Sequence, residues 1–286
     1  SLIDRFVYPK LGAGQMYDEM AKIIKARGGI IKTKQTVINI KSQNNKIESV
    51  VVVNKETGQN EEYKGDFFIS SLAIKDLINM MNAAPQEIKL LARDLRYRDL
   101  ILIVSVYDKL KLKNDTKIKT KNNLVPDNWI YIQEKEVKMG RLDIFNNFSP
   151  WMLKNKNQVL IAAEYFCSEN DKFWQLTNQE LIDFGKKEFS LLNIAAESDW
   201  RQGFIHRQTK AYPAYLGSYE RFDEIKSYLN SLENLYSIGR NGQHRYNNMD
   251  HSMLTAIKAV KVITSNNKNK EMIWDVNTET DYHEKK

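Results

Sequence analysis

"LYSIGRNGQHRYNNMDHSM" occupies residues 235–253. Its first four residues, Leu235 to Ile238, form a short apolar run that reads as a buried strand. The run breaks at Gly239, and a polar loop carrying Arg240, His244, Arg245 and His251 leads into a helix over Ser252 to Thr264. A strand ending at a glycine, with a helix entering above it, aims unsatisfied amides and a positive helix dipole at whatever lies over the strand end. Asp250 is the expected cap, with the helix starting near His251. Arg240 and Arg245 add cations suited to bidentate phosphate contact. Tyr246 adds a hydroxyl, and Asn247 and Asn248 both donate and accept. The loop therefore reads as a site for an anionic or carbonyl-rich ligand. His244 and His251 lack a third ligand at metal spacing, so no metal is expected there.

Upstream, the same strand and helix texture recurs around a different middle. Gly12-Ala13-Gly14 is a turn entering a helix with Met16, Met20, Ile23, Ile24 and Arg27 at helical spacing, closed by Gly28-Gly29. Alternation then predicts strands over 30–40, 47–53 and 61–69, a short buried strand at Phe67 to Ser71, and a helix over 74–81. From Tyr97 the chain is β-rich, with strands over 100–107, 129–133, 143–148 and 159–165 and a helix over 179–192. Strand 203–207 and helix 219–232 follow before the stretch quoted above. Beyond Asn266 the tail is polar apart from Ile273-Trp274, an exposed or docking anchor. The expected fold class is α/β (α+β): residues 1–92 and 203–286 form one domain, interrupted by a β-rich substrate domain over 93–202.

At 286 residues, 42% hydrophobic and 28% charged, the chain has the composition of a globular protein, with no apolar run long enough to span a bilayer. Cys167 is the only cysteine, which excludes an intrachain disulfide and a multi-cysteine zinc site; a reducing, cytoplasmic location fits. The residue reads as a small packed side chain at a strand end. A net charge of +7 is compatible with nucleic acid, a membrane surface or an anionic small molecule. The lysines are spread along the chain, and the densest group, Lys109 to Lys121, alternates like an exposed hairpin. That distribution argues against nucleic acid and against a membrane surface.

"GRNGQHRYNNMDHSM" resembles the closing flavin-binding segment of the UDP-galactopyranose mutases and of their relatives in the protoporphyrinogen oxidase and amine oxidase superfamily. "YPKLGAGQMYDEMAKIIKARGGIIKTKQTVINI" resembles that superfamily's central glycine-rich helix and the strand after it, and "AYPAY" resembles the Tyr-Pro stretch preceding the closing segment in mutases. The resemblance implies FAD as cofactor, an incomplete FAD-binding Rossmann-like domain, and a nucleotide sugar or other anionic small molecule as substrate. By position it implies substrate-diphosphate roles for Arg240, Tyr246 and Tyr212, and flavin contacts at Gly239, Asn248, Met249, Asp250, His251, Gly14 and Val37. Arg240 is expected to meet phosphates rather than to hold the fold. Asn248 stands where mutases carry Asp, and His244 replaces an aromatic. Nothing before Tyr8 resembles the superfamily's opening dinucleotide-binding unit, so the chain is expected to be the C-terminal portion of a longer flavoprotein, with an exposed sheet edge that favours self-association. The implied activity is a mutase of surface-polysaccharide or lipopolysaccharide biosynthesis. The alternatives are an amine- or protoporphyrinogen-oxidase-type enzyme, whose pocket would use Trp129, Tyr131, Phe145 and Trp151, and a non-catalytic module binding a phosphorylated ligand.

Overall fold

A computed structural model describes residues 7–265 and 269–276. Ser1, Arg5 and the tail positions 266–268 and 277–286 lie outside the described residues. In chain order the elements are α1 (Gly14–Ala26), β1 (Gln35–Gln43), β2 (Lys46–Asn54), β3 (Asn60–Lys64), β4 (Phe68–Ser70), α2 (Ile74–Met80), α3 (Gln86–Asp94) and β5 (Arg96–Tyr107). They continue with β6 (Trp129–Tyr131), β7 (Arg141–Ile144), α4 (Phe145–Phe148), β8 (Val159–Cys167), α5 (Asn178–Leu191) and β9 (Trp200–Ala214). The last are α6 (Phe222–Ser231), β10 (Leu235–Ser237), α7 (Gly239–Gly242), α8 (Met249–Thr264) and α9 (Glu271–Trp274). Among the described residues no helix is long and apolar enough to cross a membrane.

The chain forms two compact units, one from residues 32–97 with the chain after 211, the other from residues up to 31 with 98–211. In the first, β1, β2 and β3 make an antiparallel sheet, and β4 pairs in parallel with β10 through Phe68 with Leu235, Ile69 with Tyr236 and Ser70 with Ser237. Ile40, Ile47, Ile74, Leu77, Ile78, Leu95, Ile225, Leu229 and Leu235 share one core. Asn234 links the two sheets: its buried amide accepts from the Ile47 amide at 2.8 Å and donates to the Ile47 carbonyl at 2.9 Å, while its own carbonyl accepts from Phe68 N at 2.8 Å. A side chain thus replaces a strand in pairing with β2, satisfying buried backbone groups at the point where β10 begins.

The second unit is a five-stranded sheet in the order β6-β7-β8-β5-β9, antiparallel from β6 through β5. α5 covers the face carrying Ile101, Ile103, Tyr107, Leu142, Ile161 and Tyr165. Its N-terminus is closed by a capping box in which Thr177 and Glu180 satisfy each other's amides. Gly185 lets it approach the sheet, since a Cβ there would stand 2.8 Å from Ile103 Cγ2. Buried Glu188 on α5 accepts from Lys138 N at 2.6 Å, Met139 N at 3.1 Å and the Tyr165 hydroxyl at 3.0 Å, fixing the loop before β7.

Several expectations are revised by packing. β1 starts at Gln35, because Ile30 is exposed and Lys34 takes a left-handed φ of 58°. β3 stops at Lys64, and Ile69 of β4 is exposed, so the short strand there is not buried. The stretch 145–148 turns helical as α4 instead of extending β7. α1 buries none of its residues. Lys109 to Lys121 is no hairpin: Leu110 and Leu112 pack onto the second unit's core, Lys111 N donates to Ile194 O at 2.7 Å, and the lysines point outward. Ile273 and Trp274 are buried, as a docked rather than an exposed anchor.

Candidate functional site

The candidate site grows from the end of β10. Ile238 N still donates to the Ser70 carbonyl of β4, at 2.9 Å, and then Gly239 turns with φ +73°, its amide held by Thr255 Oγ1 of α8 at 2.8 Å. Only glycine adopts that conformation without steric cost. α7 follows as a single turn inside what the sequence presents as loop. Gly242 lies so close to β4 that a Cβ would stand 2.8 Å from the Ser70 carbonyl. The loop is therefore seated on the strand ends by its backbone.

His244 is fully buried, with φ +47°. Its Nε2 lies 3.1 Å from the Ala214 carbonyl, its ring meets Tyr97 edge-on at 4.7 Å between centroids, and Tyr219 and Phe222 flank it. Burial lowers its pKa, partly opposed by the Ala214 carbonyl, and the neutral ring packs where an aromatic would. Arg245 is engaged within the fold: its Nη1 donates to the carbonyls of Trp274, at 3.0 Å, and Val276, at 3.4 Å, anchoring the segment beyond α8.

Arg240 is clamped. Its Nε and Nη2 donate to the Asn247 carbonyl at 3.0 and 2.7 Å. Its guanidinium carbon lies 5.3 Å from the Tyr212 ring centroid and 4.7 Å from that of Tyr246, and those two rings stack at 5.8 Å with 17° between planes. Tyr246 N donates to the Tyr215 hydroxyl at 2.9 Å. The result is a preorganised cation beside a stacked pair of phenol rings, held by a backbone carbonyl. Arg240 thus also holds its own loop, contrary to a role confined to a ligand.

α8 begins three residues earlier than its apolar spacing suggests. Asn248 is the N-cap, no side chain caps the helix, and Asp250 lies within the first turn, beside His251 Nδ1 at 3.3 Å. Asn247 is buried, its Oδ1 accepting from Ser252 Oγ at 2.9 Å and its Nδ2 having no hydrogen-bond partner among the described residues. The structure thus places Gly239, Arg240, Tyr246, Asn248, Met249, Asp250 and His251 on one loop and helix start, and Tyr212, near the end of β9, stacks its ring on Tyr246 there. Val37 is elsewhere in the same unit, half-buried against its core at a register shift in β1, and Gly14 opens α1 in the other unit. Tyr215, Thr255 and Ser252 are site-building residues that spacing alone does not reveal, because their hydroxyls act across turns.

The chain shares its fold with solved structures of a mutase and of oxidoreductases. UDP-galactopyranose mutase in its reduced form matches with a TM-score of 0.74 and 18% identity, over 94% of this chain and 54% of that one. A putative protoporphyrinogen oxidase from Exiguobacterium sp. 255-15 matches with a TM-score of 0.62 and 10% identity, over 91% and 53%. An oxidoreductase from Methanosarcina mazei matches at 0.55 and 13%, over 87% and 54%. At these identities the likeness establishes the fold, and the chain spans about half the length of the structures it matches. No family model and no curated protein matches the sequence.

Proposed function

We propose that this chain is the C-terminal, substrate-binding portion of an FAD-dependent enzyme acting on a nucleotide sugar in surface-polysaccharide or lipopolysaccharide biosynthesis. The observation that carries this reading is Arg240, fixed by the Asn247 carbonyl beside the stacked rings of Tyr212 and Tyr246, next to the start of α8, which no side chain caps. The residues fit a flavin: the first amides of α8 lack a side-chain cap, and the Asn247 amide is buried and unpartnered among the described residues. Gly239 and Asn248 to His251 would hold the cofactor, with Gly14 and Val37 assigned to it by resemblance. Bound FAD would supply the electron-rich or electron-accepting centre that no side chain provides. Arg240 would bind the substrate's phosphates as a cation whose orientation is set before binding. The phenol rings of Tyr212 and Tyr246 pack beside its guanidinium and help to set that orientation.

The second reading is an amine- or protoporphyrinogen-type oxidase. It draws support from the exposed rings of Trp129, Tyr131 and Trp151 in the β-sheet unit, where Trp129 stacks on Phe148 at 5.7 Å. The FAD-loaded enzyme, reduced with dithionite, is expected to isomerise a UDP-sugar without stoichiometric oxygen uptake. Oxygen uptake matched to product is the oxidase outcome, and UDP binding with neither activity is that of a binding module.

A further inference from the structure

The segment Lys109 to Lys121 carries six lysines against one aspartate, five of the chain's seven net positive charges, and the fold leaves all six lysines exposed. It is not alone. Lys121 leads into Asn122, whose side-chain amide donates to the Lys156 carbonyl at 3.0 Å. Lys156 Nζ donates to the Pro150 carbonyl at 3.0 Å, and Ser149 Oγ donates to the Lys10 carbonyl at 2.6 Å. The Lys10 ammonium lies 5.5 Å from the Trp151 ring centroid. Residues distant in sequence, 10, 121 and 156, thus meet on one surface of the β-sheet unit. Burial lowers the pKa of Lys156, and the ammonium groups of Lys121 and Lys10 lower it further, as expected where like charges gather. None of Lys10, Lys109, Lys111, Lys113, Lys117, Lys119, Lys121 or Lys156 forms a salt bridge with a described residue.

Two large apolar side chains stand among these lysines. Ile118 is 60% exposed within the basic segment, and Trp151 is 51% exposed beside Lys10. A soluble polyanion gains nothing from an exposed isoleucine, and a nucleic-acid track would interleave its cations with arginines and stacking rings, neither of which occurs between 109 and 121. Lysines bordering an aliphatic tip and an indole match an anionic bilayer surface: the ammonium groups meet headgroups while the apolar side chains enter the interface. We propose that this face, built by Lys109 to Lys121 with Lys10, Lys156, Ile118 and Trp151, docks the protein on the surface of a membrane rich in anionic lipid. The sequence argues against a membrane surface because its lysines are scattered, and it is the fold that gathers them.

The test is co-sedimentation of the chain with vesicles of phosphatidylcholine alone or mixed with phosphatidylglycerol or phosphatidylserine. Binding is expected only to the anionic vesicles and should weaken as salt is raised. The triple variant K10Q/K121Q/K156Q, with an unchanged circular dichroism spectrum, should bind about 100-fold more weakly, from roughly a fivefold loss per lysine. Trp151→Ser should weaken binding while leaving the salt dependence intact. Equal binding to neutral vesicles, full binding by the triple variant, or retention on heparin or duplex DNA without vesicle binding would each overturn the proposal.

Discussion

Replacing Arg240 by Ala separates its two roles. In the structure the guanidinium makes two charge-assisted bonds to the Asn247 carbonyl, at 3.0 and 2.7 Å, and lies over two tyrosine rings, so it stabilises the loop even without a ligand. The paired bonds to one acceptor are worth about 1.5–3 kcal/mol, and the two ring contacts about 0.5–1 kcal/mol each. Deletion should then cost about 2.5–5 kcal/mol of stability, lowering the melting temperature by roughly 5–10 °C in a chain of this size. Arg240→Lys keeps the charge and one bond but loses the fork, and should recover about half. Scanning calorimetry of the three proteins without ligand measures this, and UDP titration below the transition measures the second role, where Ala should cost at least tenfold in affinity. A melting temperature within 1 °C of the natural chain's would refute the clamp. Full UDP affinity in Arg240→Ala, with the stability loss as expected, would leave the clamp standing and remove the phosphate role.

Asp143 gives a pH signature. Burial and the nearby Glu164 carboxylate push its pKa up to about 7, Arg141 opposing, so its contribution is fully present below the unfolded value near 4 and is lost as pH rises through about 7. Asp143→Asn should therefore gain on the natural chain by on the order of 2–3 kcal/mol between pH 5 and pH 8 in urea unfolding, and parallel stability curves would contradict the shift. Gly242→Ala sets a methyl 2.8 Å from the Ser70 carbonyl, a backbone atom that cannot rotate away. It should cost about 1–3 kcal/mol by thermal unfolding, against which a loss under half a kcal/mol would mean that the loop lifts freely off β4.

What the residues alone determine here is local. The apolar run of β10, the break at Gly239 and the donor-rich loop are legible because periodicity and backbone freedom act over a few residues. α5 is legible for the same reason, through its apolar spacing over 179–192, whereas its capping box of Thr177 and Glu180 emerged with the structure. The co-location of Arg240 with Tyr246 follows from a short loop, and that of Tyr212 comes from resemblance. The rest was settled by contacts between distant segments. Arg245 and Arg240 look equivalent in the sequence, yet one donates to the carbonyls of Trp274 and Val276 and the other to the Asn247 carbonyl beside a stacked pair of tyrosines. His244 becomes a neutral packing group only because Tyr97, Tyr219 and Phe222 surround it. Lys109 to Lys121 alternates like a strand, but two leucines gain more by joining the core than the segment gains by pairing with itself, and so it lies open with its lysines outward. Burial and charge convergence are properties of the whole packed unit, and no window of a few residues contains them.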